Sequence, residues 1–155
     1  MKTDLFELEK NMSLEKDKKN SNMKVGVLVG VFDLFHMGHL NLIKEAKQYC
    51  KYLVVGVHLD TLNIKNTMFA YSIDERVEFV SSIKYVDSVM QYEKVDELLK
   101  NIDFDIFFHG PDQNHQLFQN AFKYCRDKEK EIIQIDRTPG ISSSSLRQVL
   151  DAKEI

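Results

Sequence analysis

From Lys24 onward, continuous apolar runs alternate with amphipathic stretches, and this alternation constrains the fold more than any other feature of the 155-residue chain. The runs Val25-Gly26-Val27-Leu28-Val29 and Leu53-Val54-Val55-Gly56-Val57 carry no polar residue at every second position. Such runs suit strands covered on both faces rather than strands with one wet face. The pattern predicts strands over 24–31, 52–58, 87–91, 104–109 and 131–135. It predicts helices over 38–50, 73–84, 95–101, 114–127 and 142–151, the second capped near Ser72 or Asp74. Residues 60–71 show no clean period and read as a loop.

Strands and helices in strict alternation imply parallel pairing through right-handed crossovers. The expected fold is therefore α/β, a Rossmann-like three-layer α/β/α sandwich around a five-stranded, mostly parallel sheet. Ligands of such sheets bind at the carboxyl ends of the strands. The segments richest in chemistry fall there: 30–39, 58–65, 109–112 and 137–145.

Length and composition fit one soluble domain, with 43% hydrophobic and 29% charged residues. A net charge of −3 argues against a nucleic-acid surface. Cys50 and Cys125 have neither metal-site nor disulfide-framework spacing and read as reduced thiols. With no long apolar run and no signal-peptide core, no membrane span is expected and the cytoplasm is the default location. Residues 1–22 carry five lysines and five acidic residues without Gly or Pro, and read as an extension, flexible or loosely docked as a helix, ahead of a domain over 23–155.

Within Gly30-Val31-Phe32-Asp33-Leu34-Phe35-His36-Met37-Gly38-His39, a strand ends at a glycine and a helix begins near Gly38. A helix N-terminus offers unpaired N–H groups and positive dipole character, which favours phosphate. Two imidazoles three residues apart at that point suit a phosphate whose charge changes during a reaction. In Arg137-Thr138-Pro139-Gly140-Ile141-Ser142-Ser143-Ser144-Ser145, Gly140 permits a tight turn and the serines can cap a helix. Read alone, that segment is as consistent with an ordinary helix start as with a second phosphate site. Asp33 reads equally as a turn carboxylate and as a metal partner, Arg76 as a helix-surface ion pair, and Lys65 as a solvated lysine or a phosphate ligand.

The decapeptide resembles the HxGH signature of the nucleotidyltransferase superfamily, in the G-x-F-D-x-x-H-x-G-H form of its cytidylyltransferases. Arg137–Ser145 is similar to the R-T-x-G-I-S-T-T segment of glycerol-3-phosphate cytidylyltransferases, with serines in place of threonines and the hydroxyls kept. Asp74-Glu75-Arg76 resembles the family's E-x-R box. Lys84-Tyr85-Val86-Asp87-Ser88-Val89 resembles its R-Y-V-D-E-V segment. His109-Gly110-Pro111-Asp112 resembles H-G-D-D, with proline at the first Asp. The resemblance covers about residues 24 to 150.

It implies transfer of CMP from CTP to a small phosphorylated alcohol, glycerol 3-phosphate first, with release of pyrophosphate and with Mg²⁺ on the triphosphate. Ethanolamine phosphate, choline phosphate and a sugar phosphate are the alternative acceptors. ATP-dependent adenylyl transfer of the FAD- or ADP-heptose-forming kind is a second reading, and a non-catalytic nucleotide-binding protein a third. The resemblance assigns catalysis to His36, His39 and Lys65. It assigns nucleotide binding to Gly30, Val31, Phe32, Gly38, Arg76, Gly110, Asp112, Arg137, Gly140, Ile141, Ser142 and Ser143, and a metal contact to Asp33. The Lys84–Val89 segment implies a homodimer.

Overall fold

The structure is a computed structural model and describes residues 23–59 and 69–153. Five strands, β1 (Val25–Gly30), β2 (Tyr52–His58), β3 (Ser88–Tyr92), β4 (Ile106–His109) and β5 (Glu131–Gln134), form one sheet in the order β3-β2-β1-β4-β5. Every neighbouring pair is parallel, so the sheet is wholly rather than mostly parallel. Five helices connect or follow the strands: α1 (Met37–Gln48), α2 (Ile73–Ser81), α3 (Val95–Lys100), α4 (Gln116–Asp127) and α5 (Ser143–Lys153).

The expected elements are all present, with ends moved by a few residues. The second helix stops at Ser81 rather than 84, because the 82–86 backbone turns back through Ile83 N–H to Val80 C=O and Val86 N–H to Ile83 C=O. Its start is set by Ser72, whose hydroxyl accepts from Glu75 N–H while Glu75 accepts from Ser72 N–H. The fourth strand begins at Ile106 rather than 104, since Asp105 N–H is already bonded to Val25 C=O and the Asp105 carboxylate accepts from Val25 N–H at 2.8 Å.

Side chains alternate along β1 and so serve two cores. Val25, Val27 and Val29 pack with Val95, Leu98, Leu99, Phe118 and Ala121 beneath α3 and α4. Leu28 packs with Ile43, Ala46, Val80 and Phe108 beneath α1 and α2. Each aliphatic side chain so buried contributes on the order of 1.5–3 kcal/mol. The connection from β1 thus runs to one face and the connection from β4 to the other. The ends of these adjacent strands diverge and leave a crevice, the switch point where open α/β sheets bind ligands. No helix of the described residues is long and apolar enough to cross a membrane.

Candidate functional site

A cavity of about 390 Å³ opens at that crevice. It is lined by Gly30, Val31, Phe32, Asp33, His36, Gly38 and His39 after β1, by Gly110 and Asp112 after β4, and by Arg137, Ile141, Ser142 and Ser143 after β5. Residues far apart in sequence, each at the carboxyl end of its own strand, are thereby brought together.

The loop entering α1 is held under tension. Phe32 and Leu34 adopt left-handed backbone (φ 57° and 47°), which costs a side-chain-bearing residue about 1–2 kcal/mol. The surroundings over-determine it. Asp33, 2% exposed, accepts from Ala70 N–H at 2.8 Å and Tyr71 N–H at 3.0 Å and pairs with Arg147. Its carbonyl accepts from the Ser143 hydroxyl at 2.6 Å, and the neighbouring Val31 carbonyl accepts from Arg76.

The two histidines form the start of α1 themselves. His36 is the N-cap, and its Nδ1 accepts from Gly38 N–H at 3.0 Å. His39 Nδ1 accepts from His36 N–H at 3.2 Å, completing a capping box built from imidazoles. A ring nitrogen that accepts cannot carry the proton, so each neutral ring is the Nε2–H tautomer. The rings stack with centroids 3.9 Å apart, and both line the cavity. His36 Nε2 is buried and has no hydrogen-bond partner among the described residues.

Gly38 makes this possible. A Cβ there would lie 2.7 Å from His36 Cε1 and 2.9 Å from His36 Nδ1. Gly38→Ala is therefore expected to displace the His36 ring and lower turnover about tenfold or more while the chain stays folded, which steady-state kinetics beside circular dichroism would measure. Unchanged kinetics would show that the ring's seat is not needed.

Burial, and then the nearby Arg137 guanidinium, hold His36 below its ordinary pKa. Burial, and then His36, push His39 down to about 3, against the opposing pull of the Asp33 carboxylate. Both rings are uncharged donors at neutral pH. The unfolded chain takes up protons near 6.5 and the folded His39 does not, so stability falls as pH drops from about 6.5 towards 3. Urea melts at stepwise lower pH should show a steeper loss for the wild type than for His39→Gln, and parallel curves would contradict the buried, uncharged imidazole.

At the opposite wall, Ser142 caps α5. Its hydroxyl accepts from Ser145 N–H at 3.0 Å, and Ser145 Oγ accepts from Ser142 N–H at 3.0 Å. Gly140, with φ +82°, makes the turn before it. Gly140 shapes this segment without lining the cavity. Asn41 Nδ2 donates to Thr138 Oγ1 at 3.1 Å and ties the turn to α1. Arg137 Nη1 and Asp112 Oδ2 pair at 2.5 Å at the cavity mouth, both well exposed. A pair so solvated is worth about 1 kcal/mol or less, so a ligand can part it at little cost.

Two assignments from the sequence are corrected. Arg76 is fully buried and does not line the cavity. It donates to Tyr71 C=O at 3.2 Å, Val31 C=O at 2.9 Å and His58 C=O at 2.8 Å, so it positions the site from behind instead of contacting a nucleotide. Asp33 is not disposed to ligate a metal, because both carboxylate oxygens already accept from backbone N–H groups and one is paired with Arg147. Lys65 lies outside the described residues. Sequence reasoning missed Arg147, which follows the serine run with no role suggested by its neighbours, and Gln113 and Asn41, for which nothing local gave a signal.

The switch-point cavity thus joins a helix N-terminus, two uncharged imidazole donors and a capped serine helix, an arrangement suited to a phosphate-bearing ligand. A family model described as Cytidylyltransferase-like matches residues 27–149, and the chain belongs to that family, whose members are nucleotidyltransferases. It is 34% identical over 137 residues to a glycerol-3-phosphate cytidylyltransferase of Staphylococcus aureus, covering 85% of this chain and 98% of that protein. It is 32% identical over 130 residues to the Bacillus subtilis protein of the same name, covering 81% and 96%. An FAD synthase of Thermococcus kodakarensis is 32% identical over 139 residues, covering 86% and 83%. Among solved structures, a lipopolysaccharide core biosynthesis protein from Thermoplasma volcanium shares the fold, with a TM-score of 0.62 at 24% identity over 75% of this chain and 97% of that one.

Proposed function

We propose that the chain transfers CMP from CTP to a small phosphorylated alcohol, with glycerol 3-phosphate the first candidate, and releases pyrophosphate. The observation that carries this reading is the pair of stacked imidazoles whose Nδ1 atoms are both occupied by backbone N–H groups. Nucleotidyl transfer needs little covalent chemistry from the protein; it needs fixed geometry and donors aimed at oxygens that gain charge. A phosphate oxygen of the acceptor attacks the α-phosphorus, and the bond to the pyrophosphate oxygen breaks. His36 and His39 donate from Nε2 to the α-phosphate oxygens. Because their tautomers are set before the nucleotide arrives, neither ring has to move its proton as charge develops.

Arg137 and Ser142 hold the outer phosphates, with Ser143 contributing through its N–H at the start of α5 because its hydroxyl is already given to Asp33 C=O, and the turn at Gly110 and Asp112 faces the base. Lys65, outside the described residues, keeps the role that the family resemblance implies for it, a further positive charge on the phosphates. Magnesium enters this reading as the counter-ion of the triphosphate, with no side chain assigned to it, since the Asp33 carboxylate is already committed. A homodimer belongs to the same proposal, although Asp87 of the Lys84–Val89 segment also holds its own subunit together, accepting from Leu53 N–H at 2.8 Å and from Lys47 Nζ at 2.6 Å.

The test is pyrophosphate release with each of the four nucleoside triphosphates against glycerol 3-phosphate, ethanolamine phosphate, choline phosphate, sugar phosphates and FMN. Release with CTP and glycerol 3-phosphate supports the proposal. Release with ATP and FMN alone replaces it with the second reading, which the similarity to the FAD synthase favours.

A further inference from the structure

The ladder between β1 and β4 runs Gly26↔Ile106, Val27↔Phe107, Leu28↔Phe108 and stops there. On the outer sides, β1 stays paired with β2 through Gly30 and β4 with β5 through His109. Carried one step further, the same parallel pattern would join Gly110 N–H to Val29 C=O. The carboxamide of Gln113 stands between those two groups instead. Gly110 N–H donates to Gln113 Oε1 at 2.9 Å, and Gln113 Nε2 donates to Val29 C=O at 3.0 Å.

A carboxamide carries the donor and acceptor of a peptide group, so it satisfies both strand ends while keeping them apart by its own width. The chain returns to place it there through a turn across Pro111, in which Gln113 N–H bonds to Gly110 C=O at 3.2 Å. Gln113 lies in the cavity wall beside Gly30 and Gly110, at the point where the sheet divides.

We infer that Gln113 is a positioning residue, a wedge that sets the width of the switch-point crevice and hence the fit of the nucleotide against the Gly110–Asp112 turn. The inference rests on the nucleotidyl-transfer reading for the identity of the ligand, and on the hydrogen bonds alone for the wedge. Glutamate at this position keeps the length and can accept from Gly110, but it cannot donate to Val29 C=O. Alanine removes both bonds and lets the strand ends close on each other.

The experiment compares wild type, Gln113→Ala and Gln113→Glu in pyrophosphate-release kinetics with the nucleotide that the wild type uses, beside thermal melts. Both variants are expected to raise the nucleotide KM about tenfold or more while kcat stays within about threefold. A folded Gln113→Ala with unchanged nucleotide KM overturns the positioning role, as does an equal loss in kcat and KM that only follows a lower Tm. Should the alanine variant not fold, Gln113→Glu carries the comparison. The wedge itself is read without turnover, from NMR couplings across the Gly110 N–H···Gln113 bond and slow exchange of the Gln113 side-chain amide in the wild type; their absence overturns it. If the wild type releases pyrophosphate from no nucleotide, the transfer reading fails by itself, and CTP and ATP affinities by calorimetry take the place of KM.

Discussion

Replacing His39 with alanine should lower turnover about 10²–10³-fold or more, with the fold intact, the loss typical of one donor removed from a developing oxyanion. The ring lies among Phe32, Phe35 and His36, with centroids at 5.4, 5.2 and 3.9 Å, so its position is set by packing as well as by its bond to His36 N–H. It is uncharged at neutral pH, and its contribution is direction rather than charge. His36→Ala should cost as much in turnover and in addition about 1 kcal/mol of stability, because the N-cap of α1 goes with it. Pyrophosphate-release kinetics on variants shown by circular dichroism to be folded would measure both. Near-normal turnover in either variant would remove the basis for assigning the reaction to these imidazoles.

Arg76→Met should destabilise the chain by about 3 kcal/mol or more, in a range where many domains no longer fold, because it removes donors from buried partners. The guanidinium gathers three carbonyls from three segments: Val31 after β1, His58 at the end of β2, and Tyr71 before α2. It also lies 4.8 Å over the Phe69 ring. Asp33 takes Tyr71 from the other side through its N–H, so Arg76 and Asp33 clamp the same peptide segment beside the H-x-G-H loop. Denaturant titration reads the loss directly. Arg76→Lys should recover only part of it, since an ammonium cannot reproduce the fork that reaches separate carbonyls. A methionine variant as stable as wild type, with altered nucleotide KM alone, would return Arg76 to the nucleotide.

Much of this was legible in the linear chain because it is local. A strand buried on both faces must be apolar at every position, so β1 and β2 stood out at once. The H-x-G-H spacing placed both imidazoles within one helical turn, where a capping box can form. The R-T-x-G-I-S segment carried its own turn and its own cap. Arg76 and Asp33 misled for the opposite reason. A charged residue beside a site motif looks the same whether it faces a ligand or a ring of backbone carbonyls, and only burial tells them apart. Arg76 had a helix-surface pairing as its plain alternative; the fold instead turns it inward beneath the loop it supports.

Gln113 shows where the boundary falls. Nothing in Gly110-Pro111-Asp112-Gln113 marks the glutamine, since its partner Val29 lies 84 residues earlier. The sequence by itself determined the parallel α/β architecture, the two imidazole donors and the family, because periodicity, capping and motif spacing are properties of short segments. The tertiary structure alone decided which strands part, what holds them apart and which charges turn inward, because those depend on pairing register and burial between residues that meet only when the sheet closes.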